Sequence, residues 1–333
     1  MKPNIFEIAT KELSQDAFFT WLLQYADESN ENENKELSAC AKEFVSYLIS
    51  KQLPTFTEDI KTVKEVERQW EYIDISAVIN NKIFIIIEDK TNTEQHGNQL
   101  EDYRTIAKDY CKEKNYQELI CIYLKTGAES QSSLNKVKEE GFSTIGTEEL
   151  LNIFNKYNVK NDIFNDFHTN LKNIYEGQKS FETNLIKDWD YANWQGFYTY
   201  LDSVIDGNWH YVNNLSGGFL GFWWCSQQKN DCWLYLQIEQ DKKYKQGKLC
   251  FKLSASGNKT AQRNEWHSII MSKAHEKNKT EIKKPKRFGT GNRMTVAVVE
   301  QEDWLGDINS TLNKEEVVRK LKDYEKFLKE CLL

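Results

Sequence analysis

Ile73-Asp74-Ile75-Ser76-Ala77-Val78-Ile79, then Asn80-Asn81-Lys82, then Ile83-Phe84-Ile85-Ile86-Ile87-Glu88-Asp89-Lys90 is the stretch that decides the fold. Ile73, Ile75, Ala77 and Ile79 recur every second residue, which predicts a strand over 73–79. The run 83–90 is nearly continuously apolar, as expected of a central strand covered on both faces. Asn80-Asn81-Lys82 is the turn between them. Asp74, Glu88 and Lys90 stand where this pattern asks for apolar side chains. Glu88 and Lys90 are two apart and share a face. A three-residue loop pairs Ile79 with Ile83 and sets Asp74 opposite Glu88. A strict two-residue loop would shift the register by one and send Asp74 to the other face. The expectation is therefore an odd loop or a bulge.

Two carboxylates brought that close require a shared proton or a cation between them. Mg²⁺ suits the site, because it takes one or two carboxylates and keeps waters that a substrate phosphate can replace. Mn²⁺ would serve as a substitute. Lys90 could orient or deprotonate a metal-bound water, or stabilise charge on the phosphate. These parts suit phosphodiester hydrolysis. The ordinary alternative is an ion-paired charge cluster at a strand end.

Outward from this stretch, residues 10–25 and 36–52 read as amphipathic helices, the second ended by Pro54. Strands are expected at 62–72, 118–125 and 142–145, and helices at 96–113, 148–156 and 162–177. Strands and helices in this order predict an α/β unit. Composition changes near residue 180: Trp189, Trp194, Trp209, Trp223, Trp224, Trp233, Trp266 and Trp304 all follow it. Strands at 208–213, 219–227, 232–239 and 247–254 predict an antiparallel meander. Helix 259–276, strand 293–300 and helix 312–331 complete an α+β domain. The expected boundary lies at 178–186, giving domains 1–180 and 181–333.

The 333 residues are 39% hydrophobic and 13% aromatic, which excludes a disordered chain. No apolar run approaches the roughly 20 residues of a membrane span. The N-terminus lacks the apolar stretch of a signal peptide, and seven scattered Cys without a C-x-x-C pair suit a reducing cytoplasm. The net charge is −7, yet residues 241–293 hold 15 Lys and Arg against 4 Asp and Glu. Such a segment can steer a polyanion. Lys283, Lys284, Lys286 and Arg287, beside Gly289 and Gly291, make the best single stretch for phosphate contact, with Arg293 just beyond. Trp223 and Trp224 must point to opposite faces of a strand, so one is a candidate for stacking on a base. His96, which opens the helix after the motif, is a weaker candidate for phosphate.

The N-terminal helix reads Glu12-Leu13-Ser14-Gln15-Asp16-Ala17-Phe18-Phe19-Thr20-Trp21-Leu22-Leu23, and the helix after Lys90 carries Gln99 and Tyr103. With I-D-I, a turn and I-I-I-E-D-K, the first half of the chain resembles the PD-(D/E)XK nuclease superfamily, in its bacterial branch with an N-terminal E-L-S-x-x-A-F-x-x-W-L-L segment. The resemblance implies a restriction-endonuclease-like core of four mixed strands flanked by helices. Asp74, Glu88 and Lys90 would fill the three motif positions. The two acids and the Asp89 carbonyl would hold Mg²⁺, and Glu12 would complete or support the shell. Gln99 would lie near the metal-bound water or the DNA backbone, and Tyr103 beside it would face nucleic acid. Ile73 replaces the Pro of the family's name, a backbone feature rather than a ligand. The Asp89 side chain should face the other way and pair with a helix Lys. The expected protein is a metal-dependent nuclease, on DNA rather than RNA, in bacterial defence, with a homodimer or accessory protein as possible partner. The rivals are a catalytically silent nuclease fold that binds nucleic acid, and a protein-interaction module in the C-terminal domain.

Overall fold

Five strands build the first sheet in the computed structural model, which describes residues 3–333 except 92, 94, 96, 214–216 and 242–245. They are β1 (Val63–Trp70), β2 (Ile73–Ile79), β3 (Ile83–Lys90), β4 (Glu118–Lys125) and β5 (Ser143–Gly146), hydrogen-bonded in that order. His96 and the lysines Lys242, Lys243 and Lys245 lie outside the described residues. The pairs β1–β2 and β2–β3 are antiparallel, whereas β3–β4 and β4–β5 are parallel. The sheet is thus mixed, and β5 adds a fifth strand to the four that the resemblance implied.

Helices cover both faces. On one face α1 (Ile5–Ile8), α2 (Glu12–Gln24) and α3 (Lys35–Ser50) precede the sheet in sequence. Phe18, Phe19, Leu22, Phe44 and Leu48 pack there with Ile75, Ala77, Ile79, Ile83, Ile85 and Ile87. On the other face Leu100 and Ala107 of α4 (Gln99–Lys114) and Val137 of α5 (Gln131–Glu139) pack with Phe84 and Ile86. Every residue of β3 is buried, because alternate side chains enter two different cores. Helices α6 (Thr147–Phe154) and α7 (Asp162–Lys179) add Leu150, Phe154, Phe164 and Phe167 to the first core.

Two compact units divide the chain, Met1–Glu176 and Gly177–Leu333. In the second, α8 (Tyr191–Val204) leads into β6 (Gly207–Val212), β7 (Phe219–Lys229), β8 (Cys232–Gln240) and β9 (Gly247–Ala255). Then follow α9 (Lys259–Glu276), β10 (Arg293–Val299), α10 (Gln301–Trp304) and α11 (Lys314–Cys331). The sheet order is β10-β9-β8-β7-β6, with every neighbouring pair antiparallel. Alternate residues Cys232, Leu234, Leu236 and Ile238 of β8 are buried. Phe251 meets the rings of Tyr324 and Phe327 on α11, and Phe222 meets Tyr198 on α8.

Helices α5 and α8 fall outside the expected ones. The nine residues of α5 offer only Leu134 and Val137 as apolar points, too few for a stripe, and Ser130 caps it through the Ser133 amide. The α8 helix is the reverse case. Trp194, Phe197, Tyr198 and Leu201 are buried with Asn193 and Gln195, so no clean polar face marks its period.

Candidate active site

The β2–β3 ladder pairs Ile79 with Ile83 and continues to Ile75 with Ile87. One further step along this register sets Asp74 opposite Glu88. The loop that permits it is Asn80-Asn81-Lys82, with Asn80 and Asn81 at φ 51° and 55°. Asn tolerates the left-handed region better than most residues, which explains the Asn pair. The Asn80 carbonyl oxygen Oδ1 also accepts the amides of Lys61 and Thr62 at 2.9 and 3.1 Å.

Asp74, Glu88 and Lys90 meet at the end of this hairpin. The Lys90 ammonium donates to Glu88 Oε1, lies 3.5 Å from Asp74 Oδ2, and donates to the Asp89 carbonyl at 3.3 Å. Asp74 Oδ2 accepts the Asp89 amide at 2.9 Å, and Oδ1 accepts Nε2 of Gln69 at 3.0 Å. Glu88 is fully buried and its Oε2 has no hydrogen-bond partner among the described residues. Burial, and then the negative charge of Asp74, push the Glu88 carboxyl up to about 8 against the pull of Lys90. Burial would lower Lys90, but Glu88 and Asp74 outweigh it and raise its pKa, so it is an ammonium at neutral pH.

Glu12 opens α2 and reaches the loop after β3. Its Oε1 accepts the Thr91 amide at 3.1 Å and the Thr93 hydroxyl at 2.6 Å. Burial opposes ionisation there, but these bonds and the Lys90 charge hold its carboxyl below the usual range. Lys125, level with Lys90 on β4, donates to the Thr93 carbonyl and lies 3.3 Å from Glu129. The chain leaving β3 is thus held from two sides.

Gln99 begins α4, and its Nε2 donates to the Tyr103 hydroxyl at 2.8 Å, which donates to the Tyr72 carbonyl at 2.8 Å. Burial raises the Tyr103 phenol; the Gln99 bond opposes this, and Glu88 and Asp74 add to it. The pair therefore sits within the field of the acid cluster.

The side chain of Asp89 faces the other core, where no helix Lys pairs with it among the described residues; instead Gln15 Nε2 donates to its Oδ1. Gln15 Oε1 in turn accepts the Thr126 hydroxyl at 2.8 Å. Asp16 lies beside Asp89, and burial followed by the Asp74 charge raises its carboxyl to about 6. Gln15 and Asp16 are legible as part of the N-terminal segment but carry no chemical signal of their own. Gln69 has none either. Its reach to Asp74 depends on its left-handed φ of 57° and on the turn residues Glu71 and Tyr72 at 47° and 67°.

Among the described residues no group of three His, Cys, Asp or Glu side chains converges as a metal cage. The donor set is two carboxylates and the Asp89 carbonyl, gathered round one ammonium. That set fits a hard cation that keeps most of its waters, and the partnerless Glu88 Oε2 is a free ligand atom for it.

In the second unit Lys283, Lys284, Lys286, Arg287 and Arg293 are all exposed. None has an ion-pair partner among the described residues. Lys284 and Arg263 lie over the Phe288 ring at 5.2 and 4.6 Å, which anchors this loop. Trp224 is buried, whereas Trp223 points to the opposite face and is half-buried.

A family model for the PD-(D/E)XK nuclease superfamily matches residues 3–216. No curated protein and no solved structure matches the chain.

Proposed function

The chain belongs to the PD-(D/E)XK nuclease superfamily, and from that premise we propose that it hydrolyses phosphodiester bonds of DNA with Mg²⁺, for which Mn²⁺ substitutes. The observation that carries the reading is the junction of Asp74, Glu88 and Lys90, where two acids share one ammonium and Glu88 keeps a buried oxygen without a partner. Asp74, Glu88 and the Asp89 carbonyl would hold the cation, with Glu12 supporting the loop beside it. When bound, the cation would acidify a water and neutralise phosphate charge.

The protein's own groups do the rest. Asp74 and Glu88 would set where the cation binds at the end of the hairpin. Lys90, kept charged by its two acids, offsets negative charge as it builds on the phosphate oxygens. Gln99 and Tyr103 bound the site and orient the strand. The second unit would grip the substrate through Lys283, Lys284, Lys286, Arg287 and Arg293. A cytoplasmic role in bacterial defence, with a partner or second copy as activator, completes the reading and rests on the N-terminal segment's resemblance. An intact acid–acid–lysine set argues against a silent relative, in which one of the three is usually lost.

The test is cleavage of linear, circular and single-stranded DNA, and of RNA, with Mg²⁺ or Mn²⁺. Metal-dependent cutting that vanishes in Glu88→Ala supports the assignment. Cutting at the wild-type rate by Glu88→Ala overturns it.

A further inference from the structure

One face of the second unit's sheet carries a cavity of about 560 Å³, within the size range of small-ligand sites. Its chemistry follows from the period-two alternation of β7, β8 and β9. Trp223 pairs with Gln237, Tyr235 with Lys252, and Trp233 with Ser254, which in turn pairs with Arg293. All of these line the cavity.

Three features point to one kind of occupant. Trp233 is 47% exposed, far more than a core indole, while Trp223 is held by the His210 ring, with centroids 4.5 Å apart and planes at 70°. Flat apolar walls of this type accept a π-face. Gln237 is only 6% exposed as a residue, and it lines the cavity with the two tryptophans. That amide carries both a donor and an acceptor, so it can match a ligand edge that presents the same pair. Lys252 is already engaged, 2.6 Å from Glu239 and 3.1 Å from Thr295. Arg293 is exposed and unpaired among the described residues, which leaves it available for a phosphate.

We propose that this cavity binds one unpaired nucleotide of the nucleic-acid substrate, its base stacked on the exposed indole of Trp233 with an edge towards Gln237 and its phosphate on Arg293. The proposal rests on the nuclease reading only in taking the polymer to be nucleic acid. A paired base offers neither a free π-face nor a free Watson–Crick edge, so the pocket selects single strands or extruded bases.

The test is fluorescence anisotropy of short labelled single strands and of the matching duplex, with the full chain in EDTA, so that no cleavage is needed. Trp233→Ala should weaken single-strand binding by about 5- to 150-fold, the usual effect of removing one stacking partner. Trp233→Phe should restore most of it, since the exposed position tolerates either ring. Gln237→Leu should level the differences among oligo-dA, dC, dG and dT. The proposal falls if wild type does not bind single strands, if Trp233→Ala and Gln237→Leu bind them as wild type does, or if Trp233→Ala weakens duplex binding equally. Cleavage by the same preparations in Mg²⁺ reads the hydrolase separately. A wild type that binds single strands through Trp233 but never cuts keeps the pocket and removes the nuclease.

Discussion

The Asp74 carboxylate accepts the backbone amide of Asp89 at 2.9 Å, so the acid of β2 holds the peptide unit that lies between the acid and the lysine of β3. The three consecutive residues Glu88, Asp89 and Lys90 then divide by pleat. Glu88 and Lys90 turn towards Asp74, while the Asp89 side chain turns to Gln15. The hydrogen bond from the Asp89 amide ties Asp74 to the strand whose pleat presents Glu88 and Lys90.

Lys90→Ala is expected to abolish turnover, a loss of at least about 10²- to 10³-fold for removing a charge-stabilising donor. DNA binding should remain near wild type, because Lys90 is buried to 8% exposure and faces its own acids. Single-turnover cleavage and anisotropy on the same preparation check both halves. Cutting at the wild-type rate would sink the role given to Lys90.

Gln69→Ala tests the support of Asp74. Its amide bonds Asp74 Oδ1 at 3.0 Å, and loss of such an outer partner typically costs about 10- to 100-fold in metal affinity or activity. The Mg²⁺ dependence of cleavage should shift to higher concentration, with Mn²⁺ titration calorimetry reporting the same change. An unaltered Mg²⁺ midpoint would show that Asp74 needs no such help.

The hairpin that carries the acid–lysine cluster is legible in the sequence because Asp74, Glu88 and Lys90 are charges in strands whose other positions are apolar. The pairing of Ile79 with Ile83 follows from loop length alone. Gln69 is not legible, since polar residues abound and its usefulness depends on three left-handed backbone residues at the β1–β2 turn. The partner of Asp89 is hidden for a related reason: parity tells which face it takes, but not that Gln15 and Asp16, rather than a lysine, lie beneath that face. Helix α8 escapes because burial on most sides erases the polar stripe that reveals a helix.

Charge reversal at Lys284 and Arg287 should weaken DNA binding and flatten its salt dependence. Both are exposed, and each phosphate-neutralising cation that is deleted takes about one unit off the slope of log affinity against log salt. Affinities measured across a salt series would show a slope smaller by about 2 for the double variant. An unchanged slope places the phosphate-binding cations elsewhere.

His168 gives the first unit an acid-sensitive point away from the chemistry. Burial, and then the Lys172 charge, lower its imidazole to about 4, while Nε2 lies 2.9 Å from Asn155 Oδ1. A folded pKa below the unfolded value of about 6.5 means that the unfolded chain binds the extra proton between pH 6.5 and 4. This contribution to stability is complete above pH 6.5 and is lost as pH falls through that window. His168→Gln keeps an amide for Asn155 and cannot titrate. The difference between the urea-unfolding curves of variant and wild type should therefore grow in the variant's favour from pH 6.5 to 4. Parallel curves would place His168 in an ordinary solvated setting.

Gly196→Ala sets helix propensity against close packing. In the interior of α8, Ala is favoured over Gly by about 1 kcal/mol. A Cβ at this position, however, collides with the carbonyl oxygen of Gln178 and comes 3.0 Å from the Phe181 ring. The carbonyl belongs to the backbone and cannot swing aside as a flexible side chain would, so the two segments must separate. Overpacking of this kind costs about 1–3 kcal/mol, and a backbone clash lies at the upper end. The clash exceeds the propensity gain, and the variant should melt several degrees below wild type in calorimetry, with the second unit's tryptophans reporting the transition. A variant at least as stable as wild type would mean that the approach at Gly196 is loose enough to admit a methyl group.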